Sequence, residues 1–155
     1  MMPFALRMEP PALISVQRHA ARAHPEECCG FLVGDRNRAE PVVTDAWPAG
    51  NERSPGERIS GYMISPEAYL RTETRARERG ASILGVYHSH PGLPPDPSSA
   101  DLEEAWPDFF YLIWETRGGR PGRFRVWRLA EDRSRFLPAP IRTGGGRNPK
   151  ERRRP

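Results

Sequence analysis

The sequence predicts an α/β domain in which helices flank a curved, mixed β-sheet. Three observations carry this. Segments of strand pattern recur from Phe4 to Leu129, helix-period segments interrupt them at 11–23 and 65–79, and the order strand, helix, several strands, helix, strands departs from regular βαβ winding. At 155 residues, with 37% hydrophobic and 28% charged residues, the chain has the size of one compact domain that buries roughly two-thirds of its unfolded surface.

Phe4 to Met8 opens a strand. Pro11 to Ala23 follows as a helix with Leu13, Val16 and Ala20 spaced for one face, and Pro25 ends it. Cys29 to Val33 is a short apolar strand closed by Gly34. Pro41 to Trp47 and Ile59 to Ile64 read as strands, and the polar loop between them, Ala49 to Arg58, is expected to be mobile. Ser65-Pro66-Glu67 supplies an N-cap, a proline at the first helical position and an early acid, so a helix spans 65–79 with Gly80 at its end. Ser82 to His88 is a strand pattern and Ser98 to Trp106 a short helix. Phe109 to Trp114 is a buried strand, and Arg123 to Leu129 is its hairpin partner across Arg117-Gly118-Gly119-Arg120-Pro121-Gly122. No internal repeat is present.

The net charge of +4 and a pI near 9.6 invite a nucleic-acid reading, which the position of the charge confines to the tail and makes the weakest of the alternatives. Residues 142–155 hold six basic residues and one acidic, whereas residues 1–141 hold 18 basic and 19 acidic. The domain is therefore assigned to 1–141, and 142–155 is expected to be a disordered basic tail without apolar residues to pack. No apolar run approaches the roughly 20 residues of a membrane-spanning helix. The first residues lack the pattern of a secretory leader, and the adjacent Cys28 and Cys29 suit reduced thiols better than a strained bridge, so a cytoplasmic location is expected.

The chemistry concentrates in His88-Ser89-His90-Pro91-Gly92-Leu93-Pro94-Pro95-Asp96-Pro97-Ser98-Ser99-Ala100-Asp101. Histidines at i and i+2 of an extended chain point to the same side, as two ligands of one metal must. Asp101 is the candidate third ligand, and four prolines between Pro91 and Pro97 stiffen the path to it. Two imidazoles and one carboxylate match zinc, and three protein ligands leave a position open, as catalytic zinc sites do. Taken alone, Ser98-x-x-Asp101 is equally a helix start, with Ser98 capping and an acid at the third position.

His-Ser-His-Pro, seven residues from His90 to Ser98, and two more residues to Asp101 together resemble the signature of the JAMM (MPN-plus) metallopeptidases. Pro25-Glu26-Glu27-Cys28-Cys29-Gly30 is similar to the upstream glutamate segment of that family and puts Glu27 at the glutamate, with Glu26 as its local competitor. An asparagine near position 51, the Ser65-Pro66-Glu67 helix start and Gly85-Val86-Tyr87 extend the resemblance over about residues 1–140. It implies the MPN (cytidine-deaminase-like) fold, one zinc per chain held by His88, His90 and Asp101, and isopeptidase or peptidase activity.

In that chemistry Glu27 is the base that takes a proton from water and returns it to the leaving amine, and Ser98 orients a hydroxyl at the developing oxyanion. Cys29 reads as a packed residue. Small members of the family are similar to enzymes that trim ubiquitin-like or sulfur-carrier proteins, which makes such a carrier the expected partner and substrate. Cell-wall or phage-tail peptides, and a zinc-holding scaffold without catalysis, are the alternatives. A zinc deaminase is disfavoured because no Pro-Cys-x-x-Cys pair follows the histidines.

Overall fold

A computed structural model describes residues 5–143 of the chain. In chain order the elements are β1 (Leu6–Met8), α1 (Pro10–Ala23), β2 (Cys29–Asp35), β3 (Val42–Ala49), a 3-10 turn (Pro55–Glu57), α2 (Pro66–Glu78), β4 (Ser82–Pro91), α3 (Ser99–Glu103), β5 (Phe110–Arg117), β6 (Arg120–Leu129), β7 (Phe136–Pro138) and β8 (Ile141–Thr143). The strands form one sheet in the order β7-β6-β5-β4-β2-β3-β1-β8. It is mixed: β2 pairs antiparallel with β3 and β4, whereas β4 and β5 run parallel.

Helices cover both faces, so the central strands are buried on both sides and read as continuous apolar runs. One core packs α1 against Leu32, Leu84, Tyr87, Leu112 and Trp114; the other packs α2 and α3 against Phe31, Val86, Tyr111, Ile113 and Trp127. The α1 stripe is Ala12, Val16 and Ala20, one residue away at its start from the expected Leu13, which lies half-buried on the flank. Small residues there bring α1 close to the sheet. Gly85 serves the same end between strands, since a Cβ on it would lie 2.0 Å from the Phe110 carbonyl oxygen of the parallel neighbour.

Three expectations need correction. Ile59 to Ile64 is not a strand: its backbone turns back, with Asn51 accepting from Met63 N at 3.2 Å and donating to Gly61 O at 2.9 Å. A side-chain amide thus satisfies groups that a neighbouring strand would otherwise have bound. The 49–58 loop is likewise pinned by Asn51 and by the Glu52 N to Met63 O bond of 2.8 Å. At the other end of the chain, Arg142, which charge alone groups with the tail, lies within β8, pairing with Arg7 of β1 and bonding Glu40 at 2.9 Å. The rest of the expected tail lies outside the described residues. Among the described residues no helix is long and apolar enough to cross a membrane.

Candidate metal centre

The site forms where β2 and β4 meet the loops at one end of the sheet. β4 runs three residues beyond the expected His88, to Pro91, so both histidines stand on a strand buried between β2 and β5. His88 and His90 are 1% and 5% exposed. The two-residue period turns their rings to one side, with the Nε2 atoms 3.1 Å apart. Ser89 points the other way and accepts a hydrogen bond from Cys28 N at 2.8 Å.

Asp101 arrives on α3. Ser98 Oγ accepts from Asp101 N at 3.0 Å and Asp101 Oδ2 accepts from Ser98 N at 2.8 Å, a reciprocal capping box that holds the short helix start. The capping box does not take Asp101 away from the histidines: the same Oδ2 lies 3.3 Å from His88 Nε2 and 3.5 Å from His90 Nε2. The proline-rich loop is anchored beneath it by Trp127 Nε1, which donates to Pro95 O at 3.0 Å, and by an Arg125–Asp96 ion pair at 2.9 Å. Pro94 O accepts from His90 Nδ1 at 2.9 Å. That bond places the hydrogen on Nδ1 and leaves Nε2 as the ring atom that faces His88 and Asp101.

Three donor atoms separated by 3.1, 3.3 and 3.5 Å fit a small cation: ligands about 2.0 to 2.2 Å from a tetrahedral zinc lie about 3.3 to 3.6 Å from one another. Glu27, 6% exposed, is the fourth group; its carboxylate oxygen lies within 4.8 Å of ligand atoms of both histidines. Glu26 does not join this group. The backbone of Glu27 is held on both sides by the 51–63 strap, since Glu27 N donates to Arg58 O at 2.7 Å and Glu27 O accepts from Asn51 Nδ2 at 3.1 Å.

The electrostatics separate the two carboxylates. Burial pushes Glu27 up to about 7, with Asp101 adding to the rise while His90 and Arg53 oppose it. Burial also works against ionisation of Asp101, but hydrogen bonds from His88 and His90 outweigh it and hold Asp101 well below the usual carboxylate range. One carboxylate is a permanent anion and the other can exchange a proton near neutrality. Burial lowers His88; it would lower His90 too, but Asp101 and the Pro94 carbonyl raise it instead.

Asn51 and Tyr62 carry more of the site than the residue pattern suggested. Tyr62 stacks on the His88 ring with centroids 4.5 Å apart and an angle of 26°, covering one imidazole from the strap side. Its role depends on the fold-back of the strap, for which the sequence carries no periodic signal. His19 and His24 stay outside the cluster, bonded to Tyr87 Oη at 2.8 Å and Thr116 Oγ1 at 3.1 Å.

Residues 10–130 match the family described as prokaryotic homologs of the JAB domain. The chain is 37% identical over 100 residues to the desampylase of Haloferax volcanii, covering 64% of this chain and 69% of that protein. It is 30% identical over 118 residues to the CysO-cysteine peptidase of Mycobacterium tuberculosis, covering 73% and 75%. The solution structure of a protein from Salinibacter ruber superimposes with a TM-score of 0.72 at 38% identity, covering 93% of this chain and 95% of that one.

Proposed function

The chain belongs to the prokaryotic JAB-domain family of hydrolases, whose domain has the MPN fold, and from that premise we propose that it is a zinc metallopeptidase. It hydrolyses the amide bond at the C-terminal tail of a small ubiquitin-like or sulfur-carrier protein. The observation that carries this reading is the convergence of His88 Nε2, His90 Nε2 and Asp101 Oδ2 on one point beside a buried glutamate. His88, His90 and Asp101 hold one zinc per chain. Glu27 is left out of the ligand set because Asp101 is closer to both imidazoles and is the carboxylate that stays ionised.

When bound, zinc supplies Lewis acidity and makes water a usable nucleophile at neutral pH. Glu27 takes the proton that the attacking water gives up and delivers it to the leaving amine, both of which a group near 7 can do. Ser98 Oγ already accepts from Asp101 N, so its hydroxyl proton is available for the developing oxyanion, a contribution of about 3 kcal/mol by the measure of comparable donors. Asn51 keeps Glu27 in place through the main chain.

Kinship with a desampylase and a CysO-cysteine peptidase supports the substrate class. So does access: exposed Met63 on the strap and Leu93 on the proline-rich loop offer apolar contacts on the two segments beside the cluster, a setting for an extended glycine-rich tail while the carrier's folded body stays outside. Two unpaired, buried cysteines support a cytoplasmic location. The scaffold alternative calls for a glutamate held away from the metal ligands, and Glu27 is not.

The test offers zinc-loaded protein three substrates: a carrier extended by one amino acid after Gly-Gly, the same carrier with Val-Val, and an unstructured peptide with the same tail. Rapid cleavage of the first alone is the expected result. Equal cleavage of all three indicates a general peptidase, and cleavage of none removes the carrier assignment.

A further inference from the structure

Glu115 is 2% exposed and takes no part in the chemistry above. It lies on β5 in register with His90 of the parallel strand β4, about 4.8 Å away across the ladder by ordinary strand spacing. A carboxylate in that position is costly unless it is paired. Arg117 Nη2 meets it at 2.7 Å, Arg123 Nε at 3.5 Å, and a β-bulge between Trp114 and Thr116 makes room at the end of the hairpin. Gly122 completes the fit, since a Cβ there would lie 3.1 Å from Glu115 Oε2.

This arrangement buries the acid and leaves the bases out. The Arg117 and Arg123 side chains remain 73% and 72% exposed while their guanidinium groups are tethered to one carboxylate. Gly118 and Gly119, at φ of 56° and 78°, form the two-residue turn that carries the exposed Arg120 beyond them. Three arginines against one glutamate leave the tip with an excess of positive charge beside the metal centre. Arg125, farther along β6, is spent on Asp96.

Resting on the carrier reading above, we propose that Arg117, Arg120 and Arg123 form a docking tip for an acidic face of the folded protein substrate. Planar guanidinium forks suit carboxylates. Two of the three are ordered before binding, which reduces the entropy lost on contact. The tail then reaches the metal centre while the body is steered by charge, so the two parts of the substrate are recognised separately.

The test uses full-length, zinc-loaded protein with Arg120→Glu and Arg120→Gln, since Arg120 is exposed and its loss does not strand Glu115. With the carrier extended after Gly-Gly, KM is expected to rise about tenfold for Arg120→Glu and less for Arg120→Gln, with kcat unchanged. Added salt should weaken wild-type binding more than that of either variant. Binding to zinc-loaded Glu27→Gln, with and without Arg120→Glu, gives a readout independent of turnover. Cleavage of the carrier with the same KM in all Arg120 forms overturns the docking tip and leaves the peptidase intact. Salt-dependent binding that needs Arg120 but leads to no cleavage keeps the tip and removes the peptidase reading. Absence of both binding and cleavage removes both. Loss of single-stranded RNA binding on Arg120→Glu, with carrier affinity unchanged, would assign the tip to nucleic acid and overturn the proposal.

Discussion

Asn51 Nδ2 donates to the main-chain oxygen of Glu27 at 3.1 Å and shares its second hydrogen with Gly61 O at 2.9 Å, while its Oδ1 accepts from Arg53 N and Met63 N. One amide thereby joins the glutamate of the site to the strap that lays Tyr62 on His88. Asn51→Asp keeps the two accepted bonds and loses both donated ones. A fall in kcat of about 10²-fold, the scale of a 1 Å misplacement, is expected with zinc content unchanged. Steady-state kinetics beside metal analysis checks it, and wild-type kcat in this variant would show that the clasp does not position Glu27.

The donor triangle makes a direct demand on metal binding. His88→Ala and Asp101→Ala should each weaken zinc binding by more than the roughly 10- to 100-fold that follows loss of a ligand's hydrogen-bond partner. A chelator should abolish turnover of the wild-type protein. Full zinc occupancy in both variants, measured by competition with a chromogenic chelator, would remove these residues from the ligand set.

The adjacent glutamates separate by position. Glu27→Gln should retain zinc and lose about 10²- to 10⁴-fold in turnover, whereas Glu26→Gln, outside the cluster, should keep its activity. A dead Glu26 variant with a live Glu27 variant would mean that the wrong glutamate has been given the proton.

Glu27 also makes stability depend on pH. Its carboxyl titrates near 7 in the folded protein against 4.5 ordinarily, because burial disfavours the anion. The folded state therefore binds the proton more tightly than the unfolded state, and stability falls as pH rises from about 4.5 to about 7, by up to about 3 kcal/mol. Metal-free Glu27→Gln should melt above metal-free wild type at pH 8, and the difference should vanish at pH 4. Melting curves at the two pH values decide it; a difference of equal size at both would point to packing instead.

The end of the domain can be located by truncation. Ending the chain after Thr143 keeps β8, whereas ending it after Pro140 removes the three-residue pairing with β1 and the Arg142–Glu40 bond. The shorter form should melt several degrees lower, on the scale of roughly 1 kcal/mol for a chain of this size. Equal melting temperatures would make β8 dispensable.

Local rules account for what the sequence alone determined. The His-x-His pair was legible because side chains alternate along any strand, and α2 because Ser65, Pro66 and Gly80 act on the backbone nearest to them. Asp101 was legible as a helix-start acid, and its spacing from the histidines matched a known signature. Tertiary structure decided the rest. Choosing Glu27 over Glu26 by geometry needs the strap that grips its main chain, and the failure of Ile59 to Ile64 to become a strand follows from the same amide. Trp127 holding the proline-rich loop, and Glu115 tethering two arginines beside His90, depend on strand neighbours that meet only once the sheet is assembled. Hydrogen bonds between residues far apart in the chain leave no periodic trace in it, because they act through proximity that the folded sheet alone creates.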